Sequence, residues 1–409
     1  MYTSPLEFLA QQMGNVVKYD ATGNPSVFVP FRKVKSKDLD PSLPDRTHPA
    51  FIINGQEVDR ILIGKYMASE LEPGGTLFSL PNMPPKHSLG ADELETRVKQ
   101  FTGASPMTAA MHGLILLLAK KNGWVPKGNT YYSVDHRDGT PWIVGNSATV
   151  GVKRVLYGWE WECTIAHTMA PELRPDIAPN HWKRRKFVGG NTPPGERHLD
   201  NGRGYNTMTG SGPASWNLDG TPESITDVVG GVMEALPGFR VFDGELQIFA
   251  NNDAAHPSAD NTATSAAWRA ILPNMGNDGH TLVAPGTAGT LKWNKTAAGN
   301  NAPCQLDTQI SLRCLPDEYM SVLFKDLTAQ ATRVPYVPAI LKELGIMPVA
   351  GDTTEGRAHY RNQEGTEYYP RRGGGWSHAS HAGLGYIGCH TSRGLTSAHY
   401  GIRPAFVVL

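Results

Sequence analysis

Cysteine is scarce: Cys163, Cys304, Cys314 and Cys389 are the only four in 409 residues. So few exclude a disulfide framework. Cys304 and Cys314 are close enough in sequence to pair across a short loop, but the composition favours all four reduced and buried. No apolar run approaches the roughly 18 residues that a membrane-spanning helix needs. The start, Met1 to Glu7, lacks the basic residues and apolar stretch of a secretory signal. Net charge is also missing, because 38 Lys+Arg balance 38 Asp+Glu. That argues against nucleic acid as a partner, since binding it needs a basic surface to displace counterions. The one dense basic run, Lys183-Arg184-Arg185-Lys186, reads as a solvated loop.

Catalytic signatures are absent as well. His136-Arg137-Asp138 has the form of a kinase catalytic loop, but no phosphate loop, Asp-Phe-Gly or strand lysine accompanies it. Gly210-Ser211-Gly212-Pro213 has the wrong spacing for a nucleophile elbow. Asn251-Asn252-Asp253 and Asp260-Asn261 carry oxygen ligands without the spacing of a calcium loop. His378 and His381 are spaced His-x-x-His, with His390 and His399 beyond. They sit in a Gly/Ser loop without the helix that would aim two rings at a metal, so contact with solvent or a partner is expected instead. Cys163 and His167, four apart, read as core packing. The expectation is a protein without cofactor, metal or catalysis.

What is abundant is turn-forming sequence, with 44 Gly and 31 Pro against 19% charged residues. Ser4-Pro5-Leu6-Glu7 has the form of a helix start, followed by Leu6, Leu9, Ala10, Met13, Val16 and Val17 at helical spacing, interrupted by Gly14-Asn15. Two readings stay open for it, a helix lying on the body or one that contacts another chain. Residues 19–49 read as an extended arm. Phe51-Ile52-Ile53, Asn54-Gly55 and Ile61-Leu62-Ile63 predict strands around a turn. Helices are predicted over Asp92–Phe101, with Leu94, Val98 and Phe101 inward, and over Thr108–Asn122, with Met111, Leu114, Ile115 and Leu118 inward and Gly123 as the stop. Phe239–Phe242, Asp243-Gly244 and Glu245–Phe249 predict a second hairpin. Residues 251–302 are rich in Asn, Ala, Gly and Thr and read as an inserted loop region.

The C-terminal stretch has stiff ends and a loose middle. Arg371-Arg372-Gly373-Gly374-Gly375-Trp376 and Gly401-Ile402-Arg403-Pro404-Ala405-Phe406 supply paired arginines, glycines for close backbone approach and aromatic anchors. Between them the sequence has no helical or strand period, which predicts displayed loops. Arg372, Trp376, Arg403 and Phe406 are expected in the frame. Ser377, His378, His381, Gly388, His390, Thr391, Leu395, Ala398, His399 and Tyr400 are the candidate ligand contacts.

Arg372-Gly373-Gly374-Gly375-Trp376, Ala382-Gly383, Ser392-Arg393 and Gly401-Ile402-Arg403-Pro404-Ala405 together resemble the end of the C-type-lectin fold. The branch is the one shared by formylglycine-generating enzymes and the variable proteins of diversity-generating retroelements. Residues 227–235 resemble a further element of that branch, with Gly231, Met233 and Ala235 departing from its Asn and two Trp. The resemblance implies an α+β, C-type-lectin-fold domain over residues 48–409, after a helix and arm over 1–47. It implies an insertion at about 250–355 and a C-terminal binding segment over 371–409. The oxidase of that branch uses two neighbouring cysteines in its last segment, where this chain has only Cys389.

Between Ser377 and Ile402 there is no Lys, Glu, Gln, Met, Trp, Asp or Asn. The positions around the frame hold Ser, His, Gly, Cys, Thr, Leu, Ala and Tyr. That set is within reach when retroelements randomise adenines in Asn codons, which excludes Lys, Glu, Gln, Met and Trp. Within the branch the layout most resembles phage and prophage variable proteins. The implied role is a virion adhesin that binds a host cell-surface receptor, sits among other virion proteins and forms a homo-oligomer, a trimer being favoured. The alternatives are a head-decoration or tail-fibre component without receptor binding and, third, a formylglycine-generating-type oxidase.

Overall fold

The computed structural model describes residues 4–198 and 203–408. Residues 1–3, 199–202 and 409 lie outside the described residues. The architecture is mixed and sheet-rich with few helices, 28% strand and 15% helix.

Hydrophobic pattern explains the helices. Thr108 caps Ala109–Lys121 by accepting from the Met111 N–H at 3.3 Å. That helix is buried on nearly every side, Leu118 being only partly covered, so it runs through the main core. Ala91–Lys99 buries Leu94 and Val98 on one face, and Phe101 follows just beyond it. Turns form at Asn54-Gly55 and Asp243-Gly244, but the first closes a hairpin of Ile52–Ile53 with Gln56–Glu57, while Ile61-Leu62-Ile63 pairs in a different sheet. All four turn residues have positive φ, the geometry that two-residue hairpin loops require.

Three sheets hold the molecule together. The first is antiparallel, in the order Val16–Tyr19, Pro25–Arg32, Arg60–Gly64, Pro404–Val407, Ala104–Pro106. Phe406 locks it to the Ala91–Lys99 helix region through edge-to-face contacts with Phe28 and Phe101, at 5.1 and 5.3 Å. Val16 and Val17 therefore belong to a strand and not to the helix, and residues 19–32 of the expected arm are part of this sheet. The run Val27-Phe28-Val29 supplies a strand with buried Val27 and Phe28 that pairs along Arg60–Gly64, so the body begins before residue 48. The helix Pro5–Gln12 lies beside this sheet with Phe8 and Leu9 exposed.

The second sheet runs Met320–Leu323, Arg357–Tyr360, Ile387–Cys389, Arg371–Arg372, Met233–Ala235, Tyr400–Gly401. It is built mostly from the C-terminal third. The third sheet joins the Phe239–Ile248 hairpin to Arg269–Pro273, His280–Val283, Lys292–Lys295 and Cys304–Asp307. Residues 251–302 were expected to be loops, yet they contribute strands whose Ala270, Ile271 and Trp293 are fully buried. The strands are only four or five residues long and stand among Asn-, Gly- and Thr-rich turns, so pairing and burial identify them rather than β-propensity. Lys183–Lys186 likewise form part of the strand Trp182–Phe187, not a loop, with their side chains exposed. All four cysteines are free and buried. Among the described residues no helix is long and apolar enough to cross a membrane.

Candidate functional site

Arg371 and Arg372 are adjacent on one strand and so point to opposite faces. Arg372 turns into the core, donating to Nδ1 of His112 at 3.0 Å and to the Gly345 carbonyl at 2.8 Å. Arg371 turns the other way and forms one wall of a hollow of about 240 Å³. The other walls are Met233, Tyr319, His359, His378, His381, Tyr386, Gly388, His390, Thr391, His399 and Tyr400.

Each wall has a local cause. Three successive glycines let the chain pass tightly at residues 373–375. A Cβ at Gly375 would sit 2.5 Å from Nδ1 of His399, so only glycine admits that imidazole. Trp376 is then clamped between two flat rings, Tyr205 at 4.0 Å and His399 at 4.3 Å. A short 3₁₀ turn over Ala379–His381 presents His378 and His381. His359 enters from the neighbouring strand Arg357–Tyr360, directly opposite Gly388 in a parallel pair. Its ring lies 5.4 Å from His390, 5.5 Å from Tyr386 and 6.2 Å from His381. His378 lies 5.5 Å from His399. Tyr319 closes the far side, 5.2 Å from His390.

Five imidazoles therefore share one recess. Burial, with the neighbouring rings adding to it, pushes His359 down to about 2 and His378 to about 3. Burial likewise holds His390 and His399 at about 4. All four are neutral at pH 7. Among the described residues no group of three or more His, Cys, Asp or Glu side chains converges as a metal site. The Asn252 and Asn261 amides are used structurally, Asn252 accepting from Thr108 Oγ1 at 2.5 Å and Asn261 donating to Glu95 at 2.7 Å.

Seven of the ten candidate contacts, His378, His381, Gly388, His390, Thr391, His399 and Tyr400, line the hollow. Ser377, Leu395 and Ala398 do not. Leu395 is exposed elsewhere, and its carbonyl accepts from Arg371 at 3.4 Å. The Ala398 carbonyl accepts from Asn206 at 3.3 Å.

The backbone there is less loose than its sequence suggests. Gly388 belongs to the strand Ile387–Cys389 and Tyr400 to the strand Tyr400–Gly401. Tyr400 is only 8% exposed, its ring 3.9 Å under the Arg371 guanidinium, so it is a buried wall and not a solvent-facing loop side chain. Strand pairing with Met233–Ala235 overrides the irregular pattern.

Sequence reasoning missed Met233, Tyr319, His359 and Tyr386, and assigned Arg371 no contact role. The alternation Arg357-Ala358-His359-Tyr360 is the one signal that could have placed His359 and Arg357 on the same strand face, opposite Ala358 and Tyr360.

The four frame residues lie outside the hollow and are buried. Arg403, with no exposure at all, donates to Glu234 at 2.8 Å and to the carbonyls of Gly64, Lys65 and Thr226 at 3.0, 3.1 and 2.9 Å. It ties the first sheet to the second. No protein-family model matches the chain, and no curated protein matches it.

Proposed function

We propose that this chain is a phage virion adhesin with a C-type-lectin fold, and that the histidine-lined hollow is where it holds a host-surface receptor. One observation carries the reading. Seven of the ten residues chosen from sequence as contacts line one recess, while none of the four chosen as frame does. A rigid surround that fixes small, polar and aromatic side chains suits recognition, because ordering those side chains on binding then costs little entropy. Cys389 supports a binder over an oxidase. Its thiol donates to the Tyr368 carbonyl at 3.3 Å, on the core side, and burial raises its pKa far above the ordinary thiol range. Other virion proteins and further copies of the chain, in a trimer by this reading, would complete the assembly.

The test is attachment to host cells by the wild-type chain and by His381→Ala and His390→Ala. Both variants should melt close to wild type and bind cells at least about tenfold more weakly, as for residues central to an interface. Unchanged attachment in both would remove the adhesin reading.

A further inference from the structure

Resting on that ligand-binding reading, we propose that the hollow takes an oxyanion, a carboxylate or phosphate group carried by its ligand. The first support is the state of Arg371. It is 1% exposed, and every hydrogen bond it makes goes to a neutral acceptor. These are Thr391 Oγ1 at 2.6 Å and the carbonyls of Ser392, Leu395 and Tyr369 at 3.1, 3.4 and 3.5 Å. Among the described residues no carboxylate lies within ion-pair distance of it. Buried cations are ordinarily paired. Arg393 and Arg403 follow that rule, Arg393 with Glu367 and Asp92, Arg403 with Glu234. Arg372 also lacks a carboxylate, but it faces the core and does not touch the hollow.

The second support is the lining itself, which offers protons and few acceptors. In His359, His390 and His399 the Nδ1 atom is buried with no partner. A buried N–H without a partner costs more than a buried lone pair without one, so the proton of each neutral ring sits on Nε2, the ring's other nitrogen. Among the described residues, none then takes these three imidazole N–H groups as donors. Thr391 Oγ1 already accepts from Arg371, which leaves its own proton to donate. No residue lining the hollow is acidic, and no Asp or Glu occurs from Arg371 to the end of the sequence. An oxyanion supplies both the missing negative charge and several acceptor lone pairs. At about 240 Å³ the recess is smaller than pockets for drug-sized ligands, which run roughly 300–1,000 Å³. It therefore suits a group no larger than a single sugar ring.

Calorimetry on the full chain tests this with sodium glucuronate, inorganic phosphate, and glucose as the uncharged counterpart, at ionic strength fixed with NaCl. One oxyanion or both should bind at one site, about tenfold or more tighter than glucose, as charge-assisted hydrogen bonds predict. Which of the two binds identifies the group. His390→Phe and Thr391→Val, checked by melting to be folded, should each weaken that binding by about tenfold. The proposal is overturned if neither oxyanion outbinds glucose, or if both folded variants bind it like wild type. Host-cell attachment by the same variants separates the two readings. Lost attachment without oxyanion binding removes the oxyanion and leaves the adhesin; oxyanion binding with attachment unchanged does the reverse.

Discussion

Tyr205 lies flat on Trp376, ring centroids 4.0 Å apart and planes within 7° of parallel. His198 stacks on the outer face of Tyr205 at 3.6 Å, and His399 on the far face of Trp376 at 4.3 Å. The column joins the paired strands Arg197–His198 and Arg203–Gly204 to one wall of the hollow. Trp376→Ala should cost about 3–5 kcal/mol, the usual range for removing a buried aromatic of this size. Tyr205→Ala should cost less, and the double variant less than the sum by roughly 0.5–1.5 kcal/mol, the coupling of a stacked pair. Urea melts of the four proteins measure it. Strict additivity would mean the two rings merely coexist.

The burial of Tyr400 leads to a second expectation. Read as a loop side chain, it would be removable at little cost. Packed beneath Arg371, it should cost about 2–4 kcal/mol on truncation to alanine, as large core residues do. Tyr400→Phe keeps the ring and should melt close to wild type. If Tyr400→Ala melts like wild type, the strand Tyr400–Gly401 is not the wall described above.

Acid should destabilise the fold early. Unfolded histidines take up protons below about pH 6.5. His359, His378, His390 and His399, held at or below about 4 in the fold, do not. The unfolded state therefore binds more protons as pH falls, and stability drops. Its full value is present above pH 6.5. Each buried imidazole should then remove roughly 1 kcal/mol per pH unit down to about 4, somewhat less for the three that are partly exposed. Urea midpoints at pH 7.5, 6.5 and 5.5 would reveal the slope. A flat profile would mean the recess is wetter than its geometry.

Removing residues 1–45 should abolish folding, whereas removing residues 1–12 should not. The larger deletion strips the strand Pro25–Arg32 from Arg60–Gly64 and takes away Ser36, whose hydroxyl donates to the fully buried Glu343 at 2.5 Å. An unpaired apolar strand edge is a template for aggregation. The smaller deletion removes a helix that buries only Ala10. Soluble yield and light scattering decide between these outcomes. A monodisperse product from the 1–45 deletion would show that the sheet closes without its N-terminal strands.

Local signals were readable in the sequence. Thr108 and Gly123 bracket the buried helix, and Asn54-Gly55 and Asp243-Gly244 mark the hairpins, because each acts through neighbouring atoms. The candidate contacts were chosen on similar grounds, from short-range irregularity around stiff ends. What stayed hidden depends on distant partners. Pro25–Arg32 is a strand because Arg60–Gly64 stands beside it, Val16–Tyr19 because it pairs with Pro25–Arg32, and polar Lys292–Lys295 because Cys304–Asp307 stands beside it. His359 and Tyr319 reach the hollow only through the order of strands in the second sheet. No neighbouring residue records that order.

Arg60–Gly64 waits through more than three hundred residues of synthesis for the strand that pairs along its open side, Pro404–Val407. The same late strand bonds to Ala104–Pro106 on its other edge. A ribosome that stalls between residues 106 and 404 therefore releases two unpaired edges together with the unfilled seat of Phe406. Chains that carry Pro404–Val407 hide all three at once, so unpaired edges mark for proteases and chaperones the copies that stopped short of that strand.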